Sequence, residues 1–226
     1  MDGLTGQIAA SIAFVGSHFA MSHPLRKPLV GMLGERAFGG VFALVSLVTF
    51  GWMIHQFRAA PPGTPLWDGQ GDVLWILASV LTIVALVLFA GSLRGNPALP
   101  SLGAQGAAAK QPHGVFRVTR HPMMWGFALW ALAHVLVVPT PRSLVLSATI
   151  AFLALVGARA QDAKKEVLMG AAWSGWESRT SYWPRLSALP GAGVVLWLVA
   201  LAAWLAITWA HLPLAGMAAG VWRWVG

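Results

Sequence analysis

Two stretches of this chain place histidine where chemistry would be costly to hold by accident. Thr119 to His134 reads TRHPMMWGFALWALAH. A cationic Thr-Arg-His enters a proline and then an apolar helix that carries a second histidine. His18 interrupts the first apolar stretch in the same way. Ionisable groups at membrane depth are expensive and mark functional sites. Along a helix, His121 and His134 stand about 20 Å apart and about 220° around the axis, so they cannot hold one ion together. His134 shares its face with Met123, Phe127 and Trp130, and His18 shares its face with Ser11 and Phe14. Packing of the first and fourth apolar spans would bring His18 and His134 towards each other across an apolar slot. Such a pair suits a haem iron, which takes two axial ligands. Zinc needs three or four ligands, and no carboxylate lies within an apolar span. Arg120 and His121, at the mouth of the slot, suit the propionate carboxylates of a haem. The residues leave open whether His121 stands in place of His18. The plainer roles are also open: a histidine in a membrane helix can hydrogen-bond a neighbouring helix. His55 and His211 read this way or as interfacial groups, His113 as a solvated loop residue, and His23-Pro24 as a turn. No catalytic residue is assigned.

The elements that must position these groups are membrane spans. The chain is 57% hydrophobic and 10% charged, with 13 tryptophans and a mean hydropathy of +0.68. That is membrane composition, and tryptophan suits an interfacial belt. There are no cysteines, which excludes disulfides, thiolate catalysis and Cys-ligated metal. The net charge of +8 sits in loops between apolar spans, so it reads as membrane orientation and not as a nucleic-acid surface. No Lys or Arg precedes the first apolar run and no small-residue cleavage site follows it, so the N-terminal helix is expected to be retained.

Spans of about 20 apolar residues fall at roughly 4–21, 35–57, 72–91, 122–138, 143–160 and 193–212. The fold expected is therefore all-α: one polytopic membrane helix bundle over 1–226 with about six transmembrane helices. The first span carries Gln7, Ser11, Ser17 and His18 and should face the interior. The third is almost wholly aliphatic and should face lipid. Residues 95–114, rich in Gly, Ala and Pro, read as a long mobile connection. Within 161–190, Lys164, Lys165, Leu168, Trp173 and Trp176 read as an amphipathic helix at the interface. Connections of about 22–35, 92–120 and 161–191, counted with the flanking Arg36 and Arg159, hold twelve of the fifteen Lys and Arg. The positive-inside rule puts them in the cytoplasm and both termini outside, for a multi-pass membrane protein.

Three blocks carry a resemblance. They are His18 with Leu25-Arg26 and Leu33-Gly34-Glu35-Arg36-Ala37-Phe38; Thr119-Arg120-His121-Pro122-Met123-Met124, Gly126 and Trp130 to His134; and Trp176-Glu177 with Arg179-Thr180-Ser181. In this order they resemble the NnrU family of bacterial membrane proteins and its plant relatives, the 15-cis-zeta-carotene isomerases. The resemblance covers about the first 185 residues. It implies a protein tied to nitrite and nitric oxide metabolism in denitrification. From the plant side it implies a haem b held by two histidines, falling on His18 and His134, and redox-dependent cis–trans isomerisation of a polyene. The implied ligand is then an apolar polyene or a nitrogen oxide, and a protein partner at the cytoplasmic face would fit an assembly role. The plant pattern has a further histidine pair near the positions of Leu153 and Ala154, which this chain lacks.

A second resemblance is to membrane methyltransferases that modify isoprenylcysteine or phospholipid. It rests on Arg120-His121-Pro122, Gly126 and Glu166. It implies S-adenosylmethionine held near Arg120, His121 and Glu166. The family's tyrosine is Met124 here and the first of its paired glutamates is Lys165, which reverses a charge beside a cationic sulfonium. If the chain is an enzyme, the isomerase resemblance is the closer.

Overall fold

The computed structural model describes residues 3–100 and 103–225. They form nine α-helices and no strand: α1 (Gly3–Ser22), α2 (Arg26–Ala59), α3 (Asp72–Gly91), α4 (Ala104–Ala109), α5 (Pro122–Val137), α6 (Pro141–Met169), α7 (Ala171–Arg179), α8 (Val194–Ala215) and α9 (Trp222–Val225). The helices α1, α2, α3, α6 and α8 are long and apolar enough to cross a membrane. The fourth expected span, α5, has 16 residues. At about 1.5 Å per residue it falls short of a hydrocarbon core of about 30 Å. Pro139 and Pro141 end it early, and it is enclosed by neighbours. The chain is a polytopic helical membrane protein.

The helix α5 lies between α3 and α6. On the α6 side of the bundle α1 packs on α6 and α2, and on the α3 side α8 packs on α3. The first expectation holds: Gln7 and Ser11 of α1 are buried, and the Gln7 amide donates to the Arg142 carbonyl at 2.7 Å. The expectation for α3 holds for one face only: Val73, Ile76, Leu77 and Val80 are exposed, while Trp75, Ala78, Ala85, Val87 and Leu88 are buried, where α3 packs on α5 and α8. An all-aliphatic helix shows no polar stripe, so its sequence cannot tell lipid from protein on any face. A Cβ at Gly126 of α5 would stand 2.8 Å from the Ala85 carbonyl of α3, so glycine is what lets these two backbones approach. The peripheral helix is α2, which buries only Phe38 and Met53.

The connections are more ordered than expected. The loop expected over 22–34 is mostly the start of α2, which kinks at Gly34, where φ is 76°. Of the connection at 95–114, the described residues 95–100 and 103–114 are folded against the basic end and are not a free linker, and 101–102 lie outside the described residues. Gln161 donates to the Ala98 carbonyl, Lys165 to those of Pro97 and Leu99, and Arg179 to that of Ala108. The interfacial helix expected within 161–190 is two elements. The 29 residues of α6 make about 43 Å, so the helix crosses the membrane and 161–169 project past it at the basic end. After Gly170, with φ 54°, α7 turns back. Trp173 and Trp176 are fully buried against Phe116 and Val118 in the basic-end core; they do not face an interface.

Candidate functional site

The segment before α5 is tied to the one after α7. The Arg120 amide donates to the Ser181 carbonyl at 2.8 Å and the Arg185 amide to the Val118 carbonyl at 2.8 Å. The Thr119 hydroxyl reaches the carbonyls of Ser181 and Tyr182, at 3.1 and 2.7 Å. Pro122, at the first position of α5, needs no amide partner there and fixes the helix start just past His121.

This arrangement directs Arg120 and His121 at one carboxylate, Asp162 of α6. His121 Nε2 donates to Asp162 Oδ1 at 2.7 Å. Arg120 Nε lies 3.0 Å from Oδ1 and Nη2 lies 2.6 Å from Oδ2. Nη2 also pairs with Glu177 of α7 at 3.0 Å, and the guanidinium lies over the Tyr182 ring. His121 Nδ1 is buried with no hydrogen-bond partner. Burial pushes the Asp162 carboxyl up, but hydrogen bonds from His121 and Arg120 and their charges outweigh it and hold the group below the usual carboxylate range. Asp162 is the residue that sequence reading missed. Its signal was present: Ala154, Ala158, Asp162 and Lys165 are buried at helical spacing, continuing one stripe of α6 beyond the apolar span. Glu166, the acid expected near Arg120 and His121 in the methyltransferase resemblance, is exposed.

His18 and His134 lie elsewhere, within the bundle. His18 Nδ1 donates to the Phe14 carbonyl at 2.9 Å, and His134 Nδ1 donates to the Trp130 carbonyl at 2.8 Å. A carbonyl only accepts, so in each ring Nδ1 carries the hydrogen, and in the neutral imidazole Nε2 keeps its lone pair. His18 lines a cavity of about 520 Å³ with Phe42, Met124 and Leu153. His134 lines one of about 810 Å³ with Phe57, Arg142 and Leu146. Phe50, Phe127 and Ile150 wall both cavities. The helices α1 and α5 both pack on α6, and the cavities lie in the gap between them. The two histidines thus line adjoining cavities and do not share one.

His211, read from sequence as interfacial, shares two cavities with His134. Arg120 and His121 line neither histidine cavity. The Arg120 guanidinium is engaged by Asp162 and Glu177 and His121 Nε2 by Asp162. His55 is exposed. No group of three or more His, Cys, Asp or Glu among the described residues could hold a bare metal ion.

Fold and site together define a multi-pass helical membrane protein with a histidine-lined cleft inside the bundle and an ionic clamp at its basic end. The chain belongs to the NnrU family, whose description "NnrU protein" matches residues 7–219. It is similar to the chloroplastic 15-cis-zeta-carotene isomerase of Zea mays, at 28% identity over 193 residues, covering 80% of this chain and 50% of that protein. The Arabidopsis thaliana protein of the same name is 28% identical over 178 residues, covering 73% of this chain and 45% of its own length. The chain thus spans about half the length of the curated relatives it matches. No solved structure matches.

Proposed function

We propose that this chain binds haem b between its helices, where His134 and His18 would hold it, and uses the site to isomerise a double bond of an apolar polyene. The carrying observation is the pair of imidazoles, each with Nδ1 held by the carbonyl four residues back. That hydrogen bond fixes the ring and presents Nε2 as the ligand atom. The surroundings fit such a group: both cavities are walled mostly by apolar side chains, with Phe50, Phe127 and Ile150 common to the two, and two protein donors complete a porphyrin iron. The names of the relatives support the reaction class.

Bound haem would supply one-electron chemistry to a conjugated chain. The protein's part is to bind, orient and exclude water. Phe50 and Phe127 are partly exposed and wall both cavities, so they offer flat faces to a polyene entering sideways from lipid. Twelve of the fifteen Lys and Arg sit at one end, which the positive-inside rule assigns to the cytoplasm. The bacterial cytoplasmic membrane is the location this reading takes.

A second ligand assignment pairs His134 with His211, because the two share cavities. Optical spectra of His18→Ala and His211→Ala separate them: the true ligand's variant loses its low-spin bands on reduction, and the other keeps them. The role in nitrogen-oxide metabolism uses the same cleft, and nitric oxide added to reduced protein tests it by a change in the Soret band. Turnover of a cis-polyene by reduced, haem-loaded protein tests the isomerase reading, and its absence would overturn it.

A further inference from the structure

At the basic end, next to the His18 cavity, lies a pocket of about 450 Å³ where α1 meets α2 and the projecting end of α6. The two spaces share Ser22, Phe42, Pro100, Gln161 and Lys164, so one runs into the other. Three cations line the outer pocket: Arg26, Lys164 and Lys165. One carboxylate lines it with them. Glu35 is largely exposed and is held by Arg26 Nη2 at 2.9 and 3.0 Å. The pocket therefore carries two positive charges in excess.

Two features make that excess costly. Lys165 is buried, and its ammonium is tied to the carbonyls of Pro97 and Leu99 at 2.9 and 3.3 Å, so it cannot swing out to water. Lys164 has no hydrogen-bond or ion-pair partner among the described residues and lines both spaces. Burial first, and then the neighbouring cations, push both ammonium groups below the usual lysine range. A buried charge is stable only when paired, and among the described residues no carboxylate lies within ion-pair distance of Lys164.

We propose that Arg26, Lys164 and Lys165 form an anion site for the acidic end of an amphiphile whose apolar body lies in the adjoining His18 cavity. The chemistry recognised is a carboxylate or phosphate attached to a large apolar group. Two sources carry it: the propionates of a haem and the phosphate of an anionic lipid. Only the first rests on the haem reading.

The test is binding to full-length protein in a neutral detergent, with two matched pairs of probes. Haemin is compared with haemin dimethyl ester by Soret titration, and phosphatidylglycerol with phosphatidylcholine by native mass spectrometry. One or more charge-assisted hydrogen bonds predict a preference of about tenfold for the acidic member of a pair. The preference falls towards equality in R26Q/K164Q and at high salt in the wild type. It persists in Lys164→Arg and in Lys110→Gln, a basic residue at the same end that does not line the pocket. Preference within the haemin pair identifies propionates, and preference within the lipid pair identifies a headgroup. The proposal is overturned if neither acidic probe is preferred, or if R26Q/K164Q, folded as judged by its melting temperature, keeps the preference. Failure of the haem reading shows separately, as no Soret band with either haemin, and the lipid pair then decides alone.

Discussion

His121 and His134 lie on one continuous segment, yet the protein treats them in opposite ways. His121 is fully buried, its Nε2 bound to a carboxylate that Arg120 also grips. His134 is half-buried, its Nδ1 bound to its own helix, its Nε2 beside open apolar space. The first arrangement is closed and fixes α5 to α6 and α7. The second leaves a ligand atom free. Polar residues in a membrane bundle thus fall into two kinds: those that bind the protein to itself and those it holds ready for something else. Residue type does not separate them; what each ring nitrogen faces does.

The largest expected effect breaks the closed region alone. Asp162→Ala leaves Arg120 and His121 without their shared partner, and breaking a buried ion pair costs about 3 kcal/mol or more. The melting temperature in detergent should fall steeply while the variant still binds haem at His134. Gly126→Ala comes next and touches both regions. Its Cβ meets the Ala85 carbonyl at 2.8 Å, and overpacking of this kind costs about 1–3 kcal/mol. It should lower the melting temperature and, by pushing α5 from α3, weaken haem binding through His134.

The third prediction is a pH dependence belonging to the closed region. Because the Asp162 carboxyl is depressed in the folded protein, its stabilisation is complete above the ordinary aspartate value of about 3.9. It is lost as pH falls from there through the lower folded value. Wild type should lose stability over that acid range more steeply than Asp162→Asn, measured by melting temperature. The smallest effect is Glu177→Gln. Its bond to Arg120 is partly exposed, so its loss should cost under about 1 kcal/mol, read as a small shift in melting temperature. Equal losses for Asp162→Ala and Glu177→Gln would contradict the clamp as drawn.

Much of the fold was legible in the sequence because length and hydropathy alone mark spans. The inward polar face of α1 was legible too, since Gln7 and Ser11 need partners that lipid lacks. Which face of α3 is buried was not, because an almost wholly aliphatic helix carries no polar stripe. The burial of Trp173 and Trp176 was not, because interfacial and core tryptophan look alike until the chain's turn at Gly170 is known. His18 and His134 stood out as isolated histidines in apolar helices, and their placement beside adjoining cavities followed the faces read from Phe14, Phe127 and Trp130. Asp162 was lost to the assumption that α6 ends with its apolar run. Its carboxylate lies 41 residues after His121 in the chain, a distance that only tertiary packing closes.

The most direct test of the central claim is the optical spectrum of purified protein loaded with haemin, oxidised and then reduced with dithionite, for wild type, His134→Ala and His121→Ala. The account predicts a Soret band with sharp low-spin bands on reduction in wild type and in folded His121→Ala, and their loss in His134→Ala. A wild-type protein that stays colourless with haemin, or a spectrum lost with His121 and kept without His134, would contradict it.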